Sequence, residues 1–199
     1  MKCLTLSLLV GFSLLSTDIH AKPPKPIVFL RAHDIQVQTL LTQSGDSLTV
    51  QSQAQIKALI NGIFDFSELS RQALGDHWQK MTPEEQSSFT STFSGIIQEK
   101  NFDAFVRYYR DGEITYKTAT VEHTTAVVMG TVPVRDSTVE IQYLLHQQED
   151  KWHIYDLIID GASTIKGYQR QYTRFLKKKT YKQLIERLNK QLAAIRKNS

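Results

Sequence analysis

The stretch Trp152-His-Ile-Tyr-Asp-Leu-Ile-Ile-Asp-Gly-Ala-Ser163 marks the passage from a sheet to the C-terminal part of the chain. Residues 152–159 form an almost continuous apolar and aromatic run, which is typical of a buried strand. Gly161-Ala-Ser163 then offers a helix cap, and the apolar side chains from Ile165 to Leu176 recur at helical spacing. The stretch therefore predicts a buried strand that leads directly into an amphipathic helix.

Upstream of this strand the apolar residues alternate with polar ones, which is the period of a half-buried strand. Alternate positions from Val139 to Leu145 are apolar, and residues 121–132 are rich in Val and Thr. The predicted strands are separated by short turns, as in an antiparallel meander. We therefore expect three or four antiparallel strands in this part of the chain.

Helical patterns flank the predicted sheet on both sides. The apolar residues from Ile56 to Ile63 form one stripe, and those from Tyr181 to Ile195 form another. Asp65 is expected to cap a short helix, and Thr82-Pro-Glu-Glu85 has the form of a capping box with proline at the first helical position. Asn101 is expected to cap a separate helix. The order of helices, sheet and helices predicts one α+β domain.

The first 21 residues are expected to be a signal peptide that is cleaved. Lys2 gives a positive start, Leu4–Leu15 is an apolar run too short to span a bilayer, and Ala21 fits the small residue before the cleavage site. The mature chain would then be residues 22–199, a single exported domain. The single Cys is Cys3, so the mature chain has no disulfide and no cysteine-based zinc site.

The composition is that of a globular chain, since 41% of the 199 residues are hydrophobic. The charge is unevenly distributed: residues 22–165 carry more acids than bases, whereas residues 166–199 carry 11 Lys and Arg and one acid, Glu186. Because the protein is expected to be exported, no nucleic-acid partner is expected for this basic segment. Anionic lipid headgroups, an acidic protein surface and a solvated helix face remain open.

No motif predicts catalysis or a metal site. The segment Gly161–Ile165 lacks the second glycine of a nucleophile elbow. His146 and His153 would face each other across a hairpin, but no acid follows at metal-ligand spacing. Asp156 lies in an apolar strand, so it needs a partner such as Arg71 or would be protonated. We expect a structural ion pair there, with a general base as the alternative, and we expect no catalytic residue, metal or cofactor.

The large apolar side chains leave two arrangements open. A curved sheet covered by helices closes either around a solid core or around a cavity, and periodicity does not distinguish the two. Packing physics alone favours the solid core. We interpret Trp78 and Trp152 as structural residues.

Two blocks of sequence carry a family resemblance. The first comprises Ile63-Phe-Asp-Phe66, Leu69-Ser-Arg71, Leu74-Gly75, Trp78 and Thr82-Pro-Glu-Glu-Gln86, with Phe89 and Phe93. The second is the stretch 152–163, which runs on into Tyr168, Arg170, Tyr172 and Phe175. In this order, behind a signal peptide, they resemble the toluene-tolerance family, the MlaC-like periplasmic phospholipid-binding proteins. The chain departs from the family at Gln169, where arginine is usual, and over residues 113–135.

The resemblance implies the fold and function of a lipid carrier. The fold would be an NTF2-like α+β cone, with a curved antiparallel sheet of about four strands packed against N-terminal and C-terminal helices. The protein would be a periplasmic monomer without enzymatic activity that maintains outer-membrane lipid asymmetry. It would shuttle phospholipid between an outer-membrane lipoprotein–porin complex and an inner-membrane ABC transporter with an MCE-domain subunit. Both acyl tails would lie in an apolar cavity.

Other functions remain open beside this one. A hopanoid or sterol-like lipid is an alternative cargo. An NTF2-like small-molecule enzyme with Asp156 or a histidine as base is an alternative function. A third is a non-carrier interaction protein with a solid core, which docks through its basic segment.

The residues expected to contact the acyl tails belong to apolar stripes that face each other across the domain. They are Phe64, Phe66, Leu74, Phe93, Ile97, Tyr109, Val127, Met129, Ile141, Tyr143, Tyr155, Leu157 and Ile159.

Overall fold

A computed structural model describes residues 25–134 and 137–198 of the chain. The predicted signal peptide, residues 1–21, lies outside the described residues. Within the described part of the chain, no helix has both the length and the apolar character that crossing a bilayer requires.

The described residues form a sheet that is preceded and followed by helices. The helices are α1 (Pro26–Ser44), α2 (Val50–Asn61), α3 (Phe66–Leu74), α4 (Pro83–Asp111), α5 (Thr164–Leu176) and α6 (Tyr181–Asn198), with a 3₁₀ helix at Gly75–Lys80. The strands are β1 (Thr115–Glu122), β2 (Thr125–Val134), β3 (Ser137–Gln148), β4 (Lys151–Ile159) and β5 (Ala162–Ser163). Neighbouring strands pair in chain order and all pairs are antiparallel. The predicted α+β fold with a curved antiparallel sheet is confirmed, and the fifth strand is only two residues long.

Side-chain caps begin three of the helices where the sequence predicts them. The Asp65 carboxylate accepts from Glu68 N at 2.8 Å at the start of α3. Thr82 and Glu85 form the predicted capping box of α4, in which each side chain accepts from the backbone N–H of the other. Ser163 Oγ accepts from Lys166 N at 3.0 Å and begins α5 directly after the sheet. These caps are local, so the sequence specifies them without help from the rest of the fold.

The predicted helix break at Asn101 is wrong, because α4 runs unbroken from Pro83 to Asp111. The apolar stripe continues through this region, and Phe102 and Val106 are both buried in a cluster with α1 and α2. Tertiary packing of that stripe outweighs the modest helix propensity of an asparagine.

A bulge changes the inward-facing positions along β4. The register of β3 against β4 shifts between Leu144 and Leu145. At a bulge, two residues of one strand lie opposite a single residue of the partner strand. The side chains beyond the bulge therefore point to the opposite face from the one that strict alternation predicts. Ile154 pairs opposite Leu145 on the inner face, and after the shift Leu157 pairs opposite Tyr143 on that same face.

The other edge of β4 is covered by the loop between α2 and α3. Ile154 N donates to Ile63 O at 2.7 Å, and Asp65 N donates to Ile154 O at 2.9 Å. Phe64 thereby forms a parallel bridge with Ile154. This pairing satisfies backbone groups that a strand edge otherwise leaves open, and it fixes the start of α3 against the sheet.

The apolar residues pack into separate clusters. The helical core lies between α3, α4, α5 and α6, and the sheet cluster lies on the inner face of the sheet against α1. The buried members of the helical core are Leu69, Ala73, Leu74, Phe89, Phe93, Ile96, Ile165, Tyr172, Leu184 and Leu188. Those of the sheet cluster are Leu30, Tyr116, Ala126, Val128, Val132, Ile141, Tyr143, Leu145, Trp152 and Ile154. Both tryptophans predicted to be structural pack in these clusters, Trp152 fully buried and Trp78 partly.

Candidate binding cavity

A cavity of about 220 Å³ lies between the inner face of the sheet and the helices that cover it. Its lining comes from all four long strands, β1 to β4, and from helices α1 to α5. Apolar and aromatic side chains make up most of this lining, which we call the cavity wall. The alternative of a uniformly solid core therefore does not describe this part of the domain.

Most of the residues predicted to contact acyl tails are part of the cavity wall. They approach it from α3 and the loop before it, from α4, and from the inner face of β3 and β4. The nine residues are Phe64, Phe66, Phe93, Ile97, Tyr109, Ile141, Tyr143, Leu157 and Ile159. Stripes that are far apart in the sequence thus meet around one space.

Four of the predicted tail-contacting residues lie away from the cavity wall. Leu74 is fully buried in the helical core, beside rather than within the cavity. In β2, Val128 is buried on the inner face of the sheet. Val127 is 38% exposed, and Met129, two residues further along the strand, lies on the same outer face. The prediction chose the wrong alternation for this strand, since β2 is apolar on both faces. Tyr155 lies at the β4 bulge and does not line the cavity. Its ring packs against the ring of His146, with ring centroids 5.4 Å apart.

A cluster of polar side chains at the cavity wall was missed by sequence reasoning. Tyr109 Oη donates to Asp34 Oδ1 at 2.9 Å, and Tyr116 Oη donates to Asp34 Oδ2 at 2.6 Å. The ring of Tyr143 packs against that of Tyr116 with centroids 5.8 Å apart, and His33 Nδ1 lies 3.9 Å from Asp34 Oδ1. We call these five residues the Asp34 cluster. The available signal was the helical spacing of Leu30 and Asp34, which places them on one face of α1.

Burial keeps the tyrosines of the Asp34 cluster protonated. It raises the pKa of Tyr109, Tyr116 and Tyr143 above the ordinary value for a phenol, and the nearby Asp34 carboxylate raises it further for all three. Each hydroxyl therefore remains a hydrogen-bond donor at neutral pH. The two that point at Asp34 stabilise its carboxylate at the edge of an apolar space.

Asp156 is a structural residue, but its predicted partner is wrong. Arg71 donates to Glu68 at 2.5 and 2.6 Å and lowers the pKa of that carboxyl. Asp156 is 5% exposed and instead accepts from Ser163 Oγ at 2.5 Å, Leu157 N at 2.8 Å and Ile165 N at 3.1 Å. These donors occupy both carboxylate oxygens and join β4 to the N-terminus of α5.

His146 and His153 pair across the β3–β4 hairpin, as predicted. His146 also has an acidic neighbour that the sequence did not indicate, because its Nε2 lies 3.0 Å from Asp65 Oδ2 without hydrogen-bond geometry. Within the described residues, no three His, Cys, Asp or Glu side chains lie close enough together to hold a metal ion.

The basic C-terminal segment forms a shallow groove where α5 meets α6. Five cations line it: Arg170, Arg174, Lys178, Lys179 and Arg187. Arg187 also lies over the ring of Phe175, 5.5 Å from its centroid, so one cation is held against an aromatic face. The groove is a surface feature that is separate from the cavity wall.

Fold and cavity together define an α+β domain whose helices close over a curved sheet and enclose a largely apolar space. The family model described as MlaC protein matches residues 33–190. The chain therefore belongs to the MlaC family.

A solved structure shares the fold. It is the phospholipid-binding protein from Ralstonia solanacearum in complex with a phospholipid, which is 22% identical in sequence and superposes with a TM-score of 0.72. The match covers 84% of this chain and 97% of that one. A comparison with curated proteins gives no match.

Proposed function

We propose that this protein is a periplasmic phospholipid carrier that holds the acyl tails of its cargo in the cavity. The observation that carries the proposal is the apolar cavity between the sheet and the helices. Membership of the MlaC family and the fold shared with a protein that was solved with bound phospholipid support it. In this role it would act as a monomer, without enzymatic activity, between an outer-membrane lipoprotein–porin complex and an inner-membrane ABC transporter with an MCE-domain subunit.

The energetics explain why a carrier of this kind is needed. Exposing an acyl chain to water costs about 0.8 kcal/mol per CH₂, and with roughly 30 such groups a two-tailed lipid would pay on the order of 20 kcal/mol. Burial of both tails removes this cost without any reacting group. Asp156 accepts three hydrogen bonds that join β4 to α5 and does not line the cavity, which supports a carrier over an enzyme that uses Asp156 as its base.

Loading requires the cavity to widen. Its volume of about 220 Å³ is below the roughly 300–1,000 Å³ of pockets that hold drug-sized ligands, and a two-tailed lipid is larger than such a ligand. The curved sheet is continuous and hydrogen-bonded, so we expect the helices to move away from it. The basic groove at α5 and α6 is then available for anionic lipid headgroups or an acidic surface of a partner.

Lipid extraction tests the proposal directly. We expect mass spectrometry of the purified mature protein, residues 22–199, to find stoichiometric phospholipid. Leu157→Asp should remove it, because a carboxylate in the cavity wall would have to be desolvated against the tails. Val127→Asp is the matched control, since it places the same charge on the outer face of the same sheet.

A second variant keeps this test informative if the first does not fold. Ile97→Asp places the charge on α4, on the helical side of the cavity wall. Circular dichroism would establish which variants are folded. A folded variant at either position that keeps its full lipid content would contradict tail burial here. The masses of the extracted lipids would show whether a hopanoid or sterol-like molecule takes the place of phospholipid.

A further inference from the structure

The Asp34 cluster places hydrogen-bond acceptors that are not fully used beside an apolar cavity. The Asp34 carboxylate receives one donor on each oxygen, from Tyr109 and Tyr116. A carboxylate offers about four lone-pair sites, so capacity remains on both oxygens. The hydroxyl protons of Tyr109 and Tyr116 are both committed to Asp34.

His33 adds a second unused acceptor. Its Nε2 lies 3.0 Å from the Leu59 carbonyl oxygen, which only accepts, so Nε2 carries the proton. In neutral His33 the Nδ1 atom is then a bare lone pair. His33 is 6% exposed and lines the cavity, and Nδ1 is buried with no hydrogen-bond partner among the described residues. A buried acceptor without a donor is costly, which points to a group that is supplied from outside the chain.

The distance between His33 Nδ1 and Asp34 Oδ1 allows a single donor atom to form a hydrogen bond with both of them. His33 Nδ1 and Asp34 Oδ1 are 3.9 Å apart, too far for a hydrogen bond between them. An atom about 2.8 Å from each fits between them and would need two protons to satisfy both. A single hydroxyl has one proton and leaves one acceptor unpaired. A phosphate or carboxylate has none and would face the Asp34 carboxylate.

We propose that the Asp34 cluster is a binding site for the primary ammonium group of an amine-bearing lipid. The ammonium has three donor protons, enough for His33 Nδ1 and for Asp34, and its charge compensates the carboxylate. His33 is the sole residue with a basic side chain found within 4 Å of the Asp34 carboxylate in the described part of the chain. This inference rests on the proposed lipid-binding function and adds the chemical class of the group that the cavity selects.

Single-chain probes that differ only in their polar end test the site. Decylamine, decanol and decanoate have the same tail, and calorimetry of the lipid-free mature protein gives their affinities. We expect decylamine to bind at least tenfold more tightly than decanol, and decanoate to bind most weakly. Asp34→Asn should bring decylamine to the affinity of decanol, whereas Asp103→Asn, on the exposed side of α4, should leave the order unchanged.

The outcomes separate the two proposals. Equal affinities for the three probes would overturn the ammonium site and assign the position to a bound water, while tail binding would stand. A preference for decylamine that survives in folded Asp34→Asn would also overturn it. If none of the probes binds, both the site and the lipid-binding function are wrong. The comparison of probes on the unmodified protein decides the matter even if Asp34→Asn does not fold.

Discussion

The helical core and the cavity wall are built from the same kinds of residue but end in different packing. In the helical core, the ring of Tyr172 meets that of Phe89 edge-on, with ring centroids 5.6 Å apart. At the cavity wall, side chains such as Phe105 and Ile141 face empty space. Apolar periodicity marks both regions equally, so whether such residues form a solid core or a cavity depends on how their elements meet.

The elements meet differently in the two regions because helices approach each other more closely than they approach a curved sheet. At Gly95 of α4, an added Cβ would lie 3.0 Å from a methyl carbon of Leu192 on α6, so the two helices are in close contact there. The strands of the sheet bend at two register shifts, and the side chains between the sheet and the helices that cover it do not fill the space. The space that remains is the cavity.

Truncating a ring should be most damaging in the helical core. Phe89 is fully buried, so Phe89→Ala should lower the free energy of unfolding by about 3–5 kcal/mol. Phe105→Ala at the cavity wall should cost less than half of this, because its ring already borders empty space. Urea denaturation of both variants measures the difference. Equal losses would mean that the cavity wall is packed as tightly as the helical core.

The link between the two regions should also be measurable. Asp156 on β4 accepts from Ser163 and Ile165 at the start of α5, so it ties the cavity wall to the helical core. Asp156→Asn replaces one carboxylate oxygen with an amide NH₂ group, which then faces other donors. We expect the free energy of unfolding to fall by about 1.5–3 kcal/mol. Asp103→Asn is the exposed control and should change stability by no more than about 0.5 kcal/mol. An equally small effect of Asp156→Asn would show that the link is not needed.

Buried tyrosines in both regions should make stability depend on alkaline pH. Burial raises the pKa of Tyr172 in the helical core and of Tyr116 at the cavity wall. Above about pH 10 the unfolded phenol loses its proton while the folded one keeps it, so stability falls as pH rises, by about 1.4 kcal/mol per pH unit for each such tyrosine. Below pH 10 both states are protonated and the contribution is constant.

Phenylalanine variants isolate the contribution of each tyrosine. Tyr172→Phe and Tyr116→Phe should each reduce the slope of unfolding free energy against pH, measured by denaturation between pH 9 and pH 11. Similar reductions would show that the two regions exclude water equally well. A slope unchanged in Tyr116→Phe would show that water reaches the Asp34 cluster and stabilises the phenolate there.

Local signals predicted helix caps correctly, whereas features that depend on tertiary packing were predicted wrongly, among them the helix break at Asn101 and the inner face of β2. The caps at Asp65, Thr82 and Ser163 were predicted because each bond spans three residues. The alternation in β2 was assigned to the wrong face because Val127 and Val128 are equally apolar, and only the pairing of the strand distinguishes them.

The sequence by itself determined the succession of helices, antiparallel strands and helices, the caps that begin three of the helices, and the family to which the chain belongs. These features depend on residues that are close together in the chain, or on motifs that survive as patterns. The tertiary structure alone decided that a cavity exists, that Asp156 joins β4 to α5, and that Asp34 meets Tyr116 from 82 positions away. Such contacts depend on how strands curve and how helices cross, and these distances are fixed by the packing of the whole domain rather than by any one segment.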